Sequence, residues 1–211
     1  MGAYAGLSDS FDGPTHHSVT DIAIMRSLPN MTIVVPSDPV ALGKLLPQVA
    51  EWRGPVFVRL NRNEVPVLFD DSYAPQIGRA ITLRPGGDVT LVCTGLMVSR
   101  SLEAAEILTD EGIDARVMEM HTIKPLDTDS LEQAARETGA LVTVEEHSII
   151  GGLGGAVAEA VTATFPVPVK RVGLADRFAE SGPYSDLLDR YGMSVEDIVD
   201  AARQSTAAKS G

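Results

Sequence analysis

Four short apolar runs alternate with helical segments between residues 88 and 205, and this rhythm constrains the fold more than any other feature. DVTLVCTG (88–95), DARVMEMH (114–121), ALVTVEEH (140–147) and VKRVGLAD (169–176) read as strands, because each is short, rich in β-branched residues and bounded by turn residues. The intervening LMVSRSLEAAEILTDEG (96–112), DTDSLEQAARETG (127–139) and GGLGGAVAEAVTATF (151–165) read as helices. Glycines close the first two, and acidic residues stand in the first turn of the second. SDLLDRYG and SVEDIVDAARQ add two short helices, and TAAKSG (206–211) reads as a frayed tail. Strands joined through helices pair in parallel with right-handed crossovers, so 88–205 is expected to form a complete doubly wound α/β domain.

The first 76 residues hold less. MTIVVP (31–36) and PVFVRL (55–60) read as strands around a helix at 38–51, with Asp38 as its cap and Pro39 at its first position. Pro47 is expected to kink or end that helix. THHSVTDIAIMRSL predicts a short amphipathic helix capped by Thr15 or Ser18. The expectation is a partial, parallel-sheet, three-layer domain over 1–76, then a linker, IGRAITLRPGG (77–87). Two strands and one crossover helix cannot cover both faces of a sheet. Either the segment packs on the second domain, or it is the end of a domain that begins elsewhere.

Charge narrows the function classes. The 17 basic and 29 acidic residues give 17 − 29 = −12, which disfavours phosphate-backbone binding and so excludes a general nucleic-acid binder. Residues 1–84 carry 7 basic and 8 acidic side chains, and 85–211 carry 10 and 21. If an anionic small molecule binds, the nearly neutral first half is the better place for it. The single cysteine, Cys93, allows no internal disulfide and lies in an apolar run, as a buried inert thiol would. No apolar stretch is long enough to span a bilayer, and MGAYAGLSDS lacks the basic and apolar regions of a signal peptide. A soluble cytoplasmic protein is the expectation.

The stretch with the most chemistry is Asp12-Gly13-Pro14-Thr15-His16-His17. Gly-Pro makes a rigid turn that orients its flanking side chains. His16 is expected in the first turn of a helix, where the dipole disfavours imidazolium, so that it could exchange a proton near neutral pH. A turn followed by a helix cap, with both histidines half-exposed, accounts for the same residues. Adjacent histidines point about 100° apart on a helix, which is poor metal-ligand spacing.

DGPTHHSVTDIAIMRSLPNMTIVVPSD (12–38) resembles the pyrimidine-binding domain of transketolase-like, thiamine-diphosphate-dependent enzymes. The similarity continues in order through VFVRLNRN (56–63), TIKPLD (122–127), VEEHSIIGGLGGAVAEAV (144–161) and GLADRFAESGPYSDLLDRYGMSVEDIV (173–199). The resemblance implies a fragment or subunit that joins the end of that domain to a transketolase C-terminal domain. It implies a two-carbon ketol transfer from a ketose to an aldose. It also implies that His16 is catalytic, that Asp12 binds a donor-sugar hydroxyl, that Arg62 binds a terminal phosphate and that His17 faces substrate. Tyr4 stands eight residues before Asp12, where many transketolases have a second histidine; it can donate a hydrogen bond but adds no positive charge.

By the same resemblance, thiamine diphosphate and a divalent metal, Mg or Ca, are held mainly outside this chain. The activating glutamate and the aromatic stack are expected upstream, and no G-D-G…N diphosphate motif is present. GGLGG (151–155) fails as a dinucleotide fingerprint, because its third position falls on Val157, and is expected to serve close helix–strand packing. The implied partners are a diphosphate-binding subunit or region, a homo- or hetero-oligomer and a sugar-phosphate substrate. The chain alone is expected to be inactive. A non-catalytic assembly module, a deoxyxylulose-phosphate synthase and a 2-oxoacid dehydrogenase β-subunit are the alternatives.

Overall fold

The computed structural model describes residues 1–209, and its architecture is mixed α/β with parallel-strand sheets, as expected. A five-stranded sheet organises the second half. It runs in the order β3 (Ile81–Arg84), β5 (Ala115–Glu119), β4 (Val89–Cys93), β7 (Leu141–Ser148) and β8 (Val169–Leu174). The last four are parallel, and β3 lies antiparallel on the β5 edge. The segment 77–87, read above as a linker, therefore contains an edge strand. Arg84 explains part of this, since it donates to the Ala115 carbonyl at 2.5 Å and to Thr109 Oγ1 at 2.7 Å.

Alternation along the strands sorts side chains onto two cores. Leu91, Cys93, Val142 and Val144 face α3 (Met97–Asp110), α6 (Tyr184–Arg190) and α7 (Val195–Ala208). Val92, Met118 and Leu141 face α4 (Thr128–Thr138) and α5 (Leu153–Ala163) on the other side. Helices on both faces make this the expected doubly wound unit. Asp127 caps α4, and Gly139 ends it in the left-handed region at φ 67°. Gly154 lets α5 approach the sheet, since a Cβ there would lie 2.8 Å from Thr143 Oγ1. Cys93 is fully buried, and burial pushes its thiol pKa up.

The N-terminal segment packs on this unit. Strand β1 (Thr32–Val34) pairs in parallel with β2 (Val56–Val58) and antiparallel with β6 (Thr122–Lys124) from the second half. Ile33 and Val35, with Ile22 of α1 (Asp21–Ser27), complete the core beneath α4 and α5. The thin two-stranded sheet thus gains a third strand and a buried face from the rest of the chain.

Three local expectations are corrected. First, α1 starts at Asp21 and neither Thr15 nor Ser18 caps it, because Gly6 and Ser18 exchange backbone hydrogen bonds of 2.8 and 2.9 Å. This pairing holds Ser18 in bridged backbone. His16 accordingly sits in a turn, its N–H donating to Gly13 O at 2.9 Å, and not in a helix. Second, α2 (Pro39–Glu51) runs on past Pro47 to Glu51, so the proline does not end the helix. Gly43 and Pro47 are both exposed, so water can satisfy the carbonyl that the missing proline N–H leaves free. Third, α7 continues to Ala208, so the tail expected from 206 is helical that far; residues 210–211 lie outside the described residues.

Candidate active site

The candidate site is built where the first residues of the chain run beside the segment after β2. Gly2 N donates to Val58 O, Leu60 N to Gly2 O and Ala5 N to Leu60 O, at 2.8, 2.8 and 3.0 Å. The next residues are tied by side chains. Arg62 N donates to Ser8 Oγ at 3.2 Å, and Asn63 Nδ2 donates to Ser8 O at 2.8 Å. Gly13, at φ 78°, makes the following turn. A Cβ there would lie 2.3 Å from Ser181 Oγ, and Gly182 N donates to Ser10 O at 3.1 Å. A loop of the second domain therefore braces the D-G-P-T-H turn.

These constraints bring together most of the residues singled out in the sequence. Tyr4, Asp9, Asp12, His16 and Arg62 line an open cavity of about 420 Å³, with Ala3 and Ser18. Asp9, Asp12 and Arg62 also line an adjoining cavity of about 270 Å³ with Ser8 and Asn63. Arg62 Nη1 contacts the Asp9 carboxylate and lies 3.6 Å from Asp12 Oδ2. The Arg62 guanidinium stacks over the Tyr4 ring, 4.9 Å from its centroid. Tyr4 adopts φ 67°, an unusual backbone conformation for a residue with a Cβ. His16 is exposed, with Nδ1 3.0 Å from Thr15 Oγ1. His17 stands apart from both cavities. Its ring nitrogens are shielded and have no hydrogen-bond partner among the described residues, and burial lowers its pKa against the opposing pull of Asp9.

Behind the site lies a buried polar layer between the two halves of the chain. Arg59 Nε donates to Asp21 Oδ2 at 2.8 Å, and its Nη2 donates to the carbonyls of Ser18 and Glu146. Glu146 accepts from Leu7 N at 2.6 Å and from Asn61 Nδ2 at 3.3 Å, while Asn61 also donates to Tyr184 Oη at 2.6 Å. Glu145 accepts the N–H groups of Leu153 and Gly154 at the start of α5. Burial pushes the pKa of both glutamates up to about 7. It lowers that of His147 to about 4, with Arg59 acting in the same direction. His147 Nδ1 bonds Ser148 O at 2.7 Å and Nε2 accepts from Ala23 N at 3.4 Å, which assigns the proton of the neutral ring to Nδ1.

One ligand atom each from Asp9, Asp12 and His16 lies within 4.8 Å of the others, the spacing of a cation site. A metal there would compete with the Arg62 guanidinium for the same two carboxylates. The donor set is also a poor match for a diphosphate, since its single guanidinium is already opposed by two acidic groups. The pattern suits hydroxyl groups and one anionic or polar terminus.

Sequence reasoning missed Asp9, which is 4% exposed and lies nearest Arg62. It belongs to no motif, and its only sequence signal is its place in the loop before Asp12. Asn61 and Glu146 were also missed as supports of the site, because the partners they join are distant in sequence.

Comparison with known proteins follows the same two halves. Residues 1–67 match the transketolase pyrimidine-binding domain model, and residues 78–198 match the transketolase C-terminal domain model. A 6-deoxy-6-sulfo-D-fructose transketolase subunit of Clostridium sp. is 41% identical over 209 residues, covering 99% of this chain and 65% of that protein. An apulose-4-phosphate transketolase subunit of Phocaeicola vulgatus is 38% identical over 203 residues, covering 96% of this chain and 65% of that protein. A solved structure described as a split-gene transketolase, inactive β4 tetramer, superposes with a TM-score of 0.92 at 43% identity, over 98% of this chain and 66% of that one. The chain thus spans just under two thirds of the length of these curated relatives. Among the described residues, no helix is long and apolar enough to cross a membrane.

Proposed function

Because the chain belongs to the transketolase family, we propose that it supplies the substrate-facing part of an enzyme that moves a two-carbon ketol unit from a ketose to an aldose. The observation that carries this reading is the convergence of Asp12, His16, Arg62 and Tyr4 on one open cavity. Family membership implies dependence on thiamine diphosphate, which when bound supplies the reactive carbon and the electron sink for the transferred unit. The cofactor and its divalent metal, Mg or Ca, belong in this proposal to a partner subunit or another region of the enzyme. The poor match of the Asp9–Asp12–Arg62 set to a diphosphate supports that placement.

The residues of this chain then have separable roles. Asp12 accepts a hydrogen bond from a donor-sugar hydroxyl. His16, with Nδ1 engaged by Thr15, uses Nε2 to take and return a proton at the substrate hydroxyl whose bonding changes. Arg62 faces the far end of the sugar. The substrates in the relatives' names carry a sulfo group in one case and a phosphate in the other, and an arginine suits either. The chain works as part of an oligomer with its partner in the cytoplasm and is inactive alone.

The test is His16→Ala in the complex assembled with the cofactor-holding partner. The expected loss is about 10²–10⁴-fold in the transfer rate, the usual effect of removing a positioned proton-transfer group. Unchanged turnover would leave the chain only an assembly role. In a second arm, the isolated chain is titrated calorimetrically with thiamine diphosphate and Mg²⁺, and weak or absent binding is expected.

A further inference from the structure

We infer that Glu146, carried by β7 of the second domain, is a positioning residue for the substrate end of the site: its two carboxylate oxygens tether the two chain segments that carry Asp9 and Arg62. The inference rests on the proposed ketol-transfer reading, in which Arg62 faces the far end of the sugar, and deepens it.

The two segments need a tether. Among the described residues, Ala5 N to Leu60 O is the last backbone–backbone bond between them, and from there side chains hold them together. Glu146 Oε1 accepts from Leu7 N at 2.6 Å, two residues before Asp9. Glu146 Oε2 accepts from Asn61 Nδ2 at 3.3 Å, next to Arg62. Asn61 passes the restraint on, since its Oδ1 accepts from Asn63 N at 2.8 Å and its Nδ2 also donates to Tyr184 Oη at 2.6 Å. The carboxylate is itself fixed. Glu146 is 4% exposed, and Arg59 Nη2 donates to its carbonyl at 3.0 Å. Where the two tethered segments meet, Arg62 Nη1 contacts Asp9, and Arg62 N donates to Ser8 Oγ. Every group in this arrangement belongs to this chain.

The tether depends on a group that accepts on both sides. An ionised carboxylate does so, whereas an amide offers one acceptor and one donor. Glu146→Gln can therefore serve one segment only, and its amide nitrogen meets a donor at the other. Asn61→Asp alone removes the donor and sets a second carboxylate against Glu146. The double variant Glu146→Gln, Asn61→Asp restores the bridge with donor and acceptor exchanged. It also keeps the charge of the pair, and the Tyr184 hydroxyl can turn to donate to the new carboxylate.

Two measurements test this. The first is amide hydrogen exchange of the full chain at pH 8, where Glu146, raised to about 7 by burial, is ionised. In Glu146→Gln the Arg62 and Asn63 amides are expected to lose about tenfold in protection relative to Leu91 of β4, of the order that one buried hydrogen bond supplies. The double variant is expected to recover it. Unchanged protection in Glu146→Gln overturns the inference, and so does an equal fall at Leu91, which would be a loss of global stability alone. The second uses the complex assembled with the cofactor-holding partner, with D-fructose 6-phosphate as the ketose. Glu146→Gln is expected to raise KM about tenfold while kcat changes less than about twofold, with KM recovered in the double variant. An unchanged KM, or a rise that the double variant does not recover, overturns the inference. The exchange comparison needs no turnover, so it decides the tether even where the ketol-transfer reading fails.

Discussion

The carboxylate of Glu146, near the end of β7, accepts the backbone N–H of Leu7 at 2.6 Å across 139 residues of chain. Leu7 immediately precedes Ser8 and Asp9, so this bond ties the site loop to the second domain. Gly6 makes room for it, since a Cβ there would lie 2.2 Å from the Glu146 carboxylate. Glu146→Ala leaves a buried N–H without a partner and is expected to cost about 1–3 kcal/mol in urea denaturation. Glu146→Gln keeps an acceptor in place and is expected to cost less than about 1 kcal/mol. Equal losses in the two variants would show that the bond contributes nothing.

Glu119 gives a pH prediction. It accepts from Ser37 Oγ at 2.5 Å and Tyr73 Oη at 2.7 Å, yet burial raises its pKa from 4.5 to about 7. A carboxyl with a raised folded-state value favours the fold while protonated. Its contribution is complete below pH 4.5 and is lost as pH rises through 7. Glu145 and Glu146 act in the same sense, whereas His121 and His147, lowered from 6.5 to about 4, act in the opposite one. Glu119→Gln removes one such group. The stability of the variant relative to wild type is expected to improve by about 2–3 kcal/mol between pH 5 and pH 8. Denaturation curves at the two pH values measure it, and a pH-independent difference would contradict the assignment.

Arg59 and Asp21 form an ion pair whose side chains are 5% and 12% exposed. Removing one member leaves the other charge poorly solvated. Arg59→Met is expected to cost about 3–5 kcal/mol, read as a lowered melting temperature. The double variant Arg59→Met, Asp21→Leu is expected to recover part of that loss. A double variant no more stable than the single one would mean that Arg59 matters through its bonds to the Ser18 and Glu146 carbonyls instead.

Two glycines should respond to alanine with opposite signs. A Cβ at Gly43, inside α2, meets nothing within 4 Å among the described residues, so Gly43→Ala is expected to stabilise by about 0.5–1 kcal/mol through helix propensity. A Cβ at Gly152 would lie 2.1 Å from Glu145 Oε2 and 2.6 Å from His147 Nδ1. Gly152→Ala is expected to destabilise by about 1–3 kcal/mol, through overpacking against a fixed carboxylate. Thermal denaturation of the two variants decides both signs.

Much of the secondary structure was legible because its causes are local. Asp38 and Asp127 stand three residues before the N–H groups they cap, and Gly139 supplies the left-handed residue that ends α4. Apolar alternation in VTLVC and β-branched runs in TIV and VFV depend on neighbours within a few positions. The D-G-P-T-H motif and Arg62 were likewise visible, and the structure brings Asp12, His16 and Arg62 to one cavity.

The sequence by itself determined the α/β class, most of the strands and helices and the family, because those follow from short-range patterning and contiguous motifs. Tertiary structure decided the rest. Antiparallel pairing of β1 with β6, the turn in place of a helix at His16, the bond from Leu7 to Glu146 and the contact of Asp9 with Arg62 all join distant or non-periodic residues. Sheet partners are chosen by which edges meet, and the effective charge of Arg62 is set by which carboxylates share its surroundings with little water between. Neither quantity is written in any window of the chain.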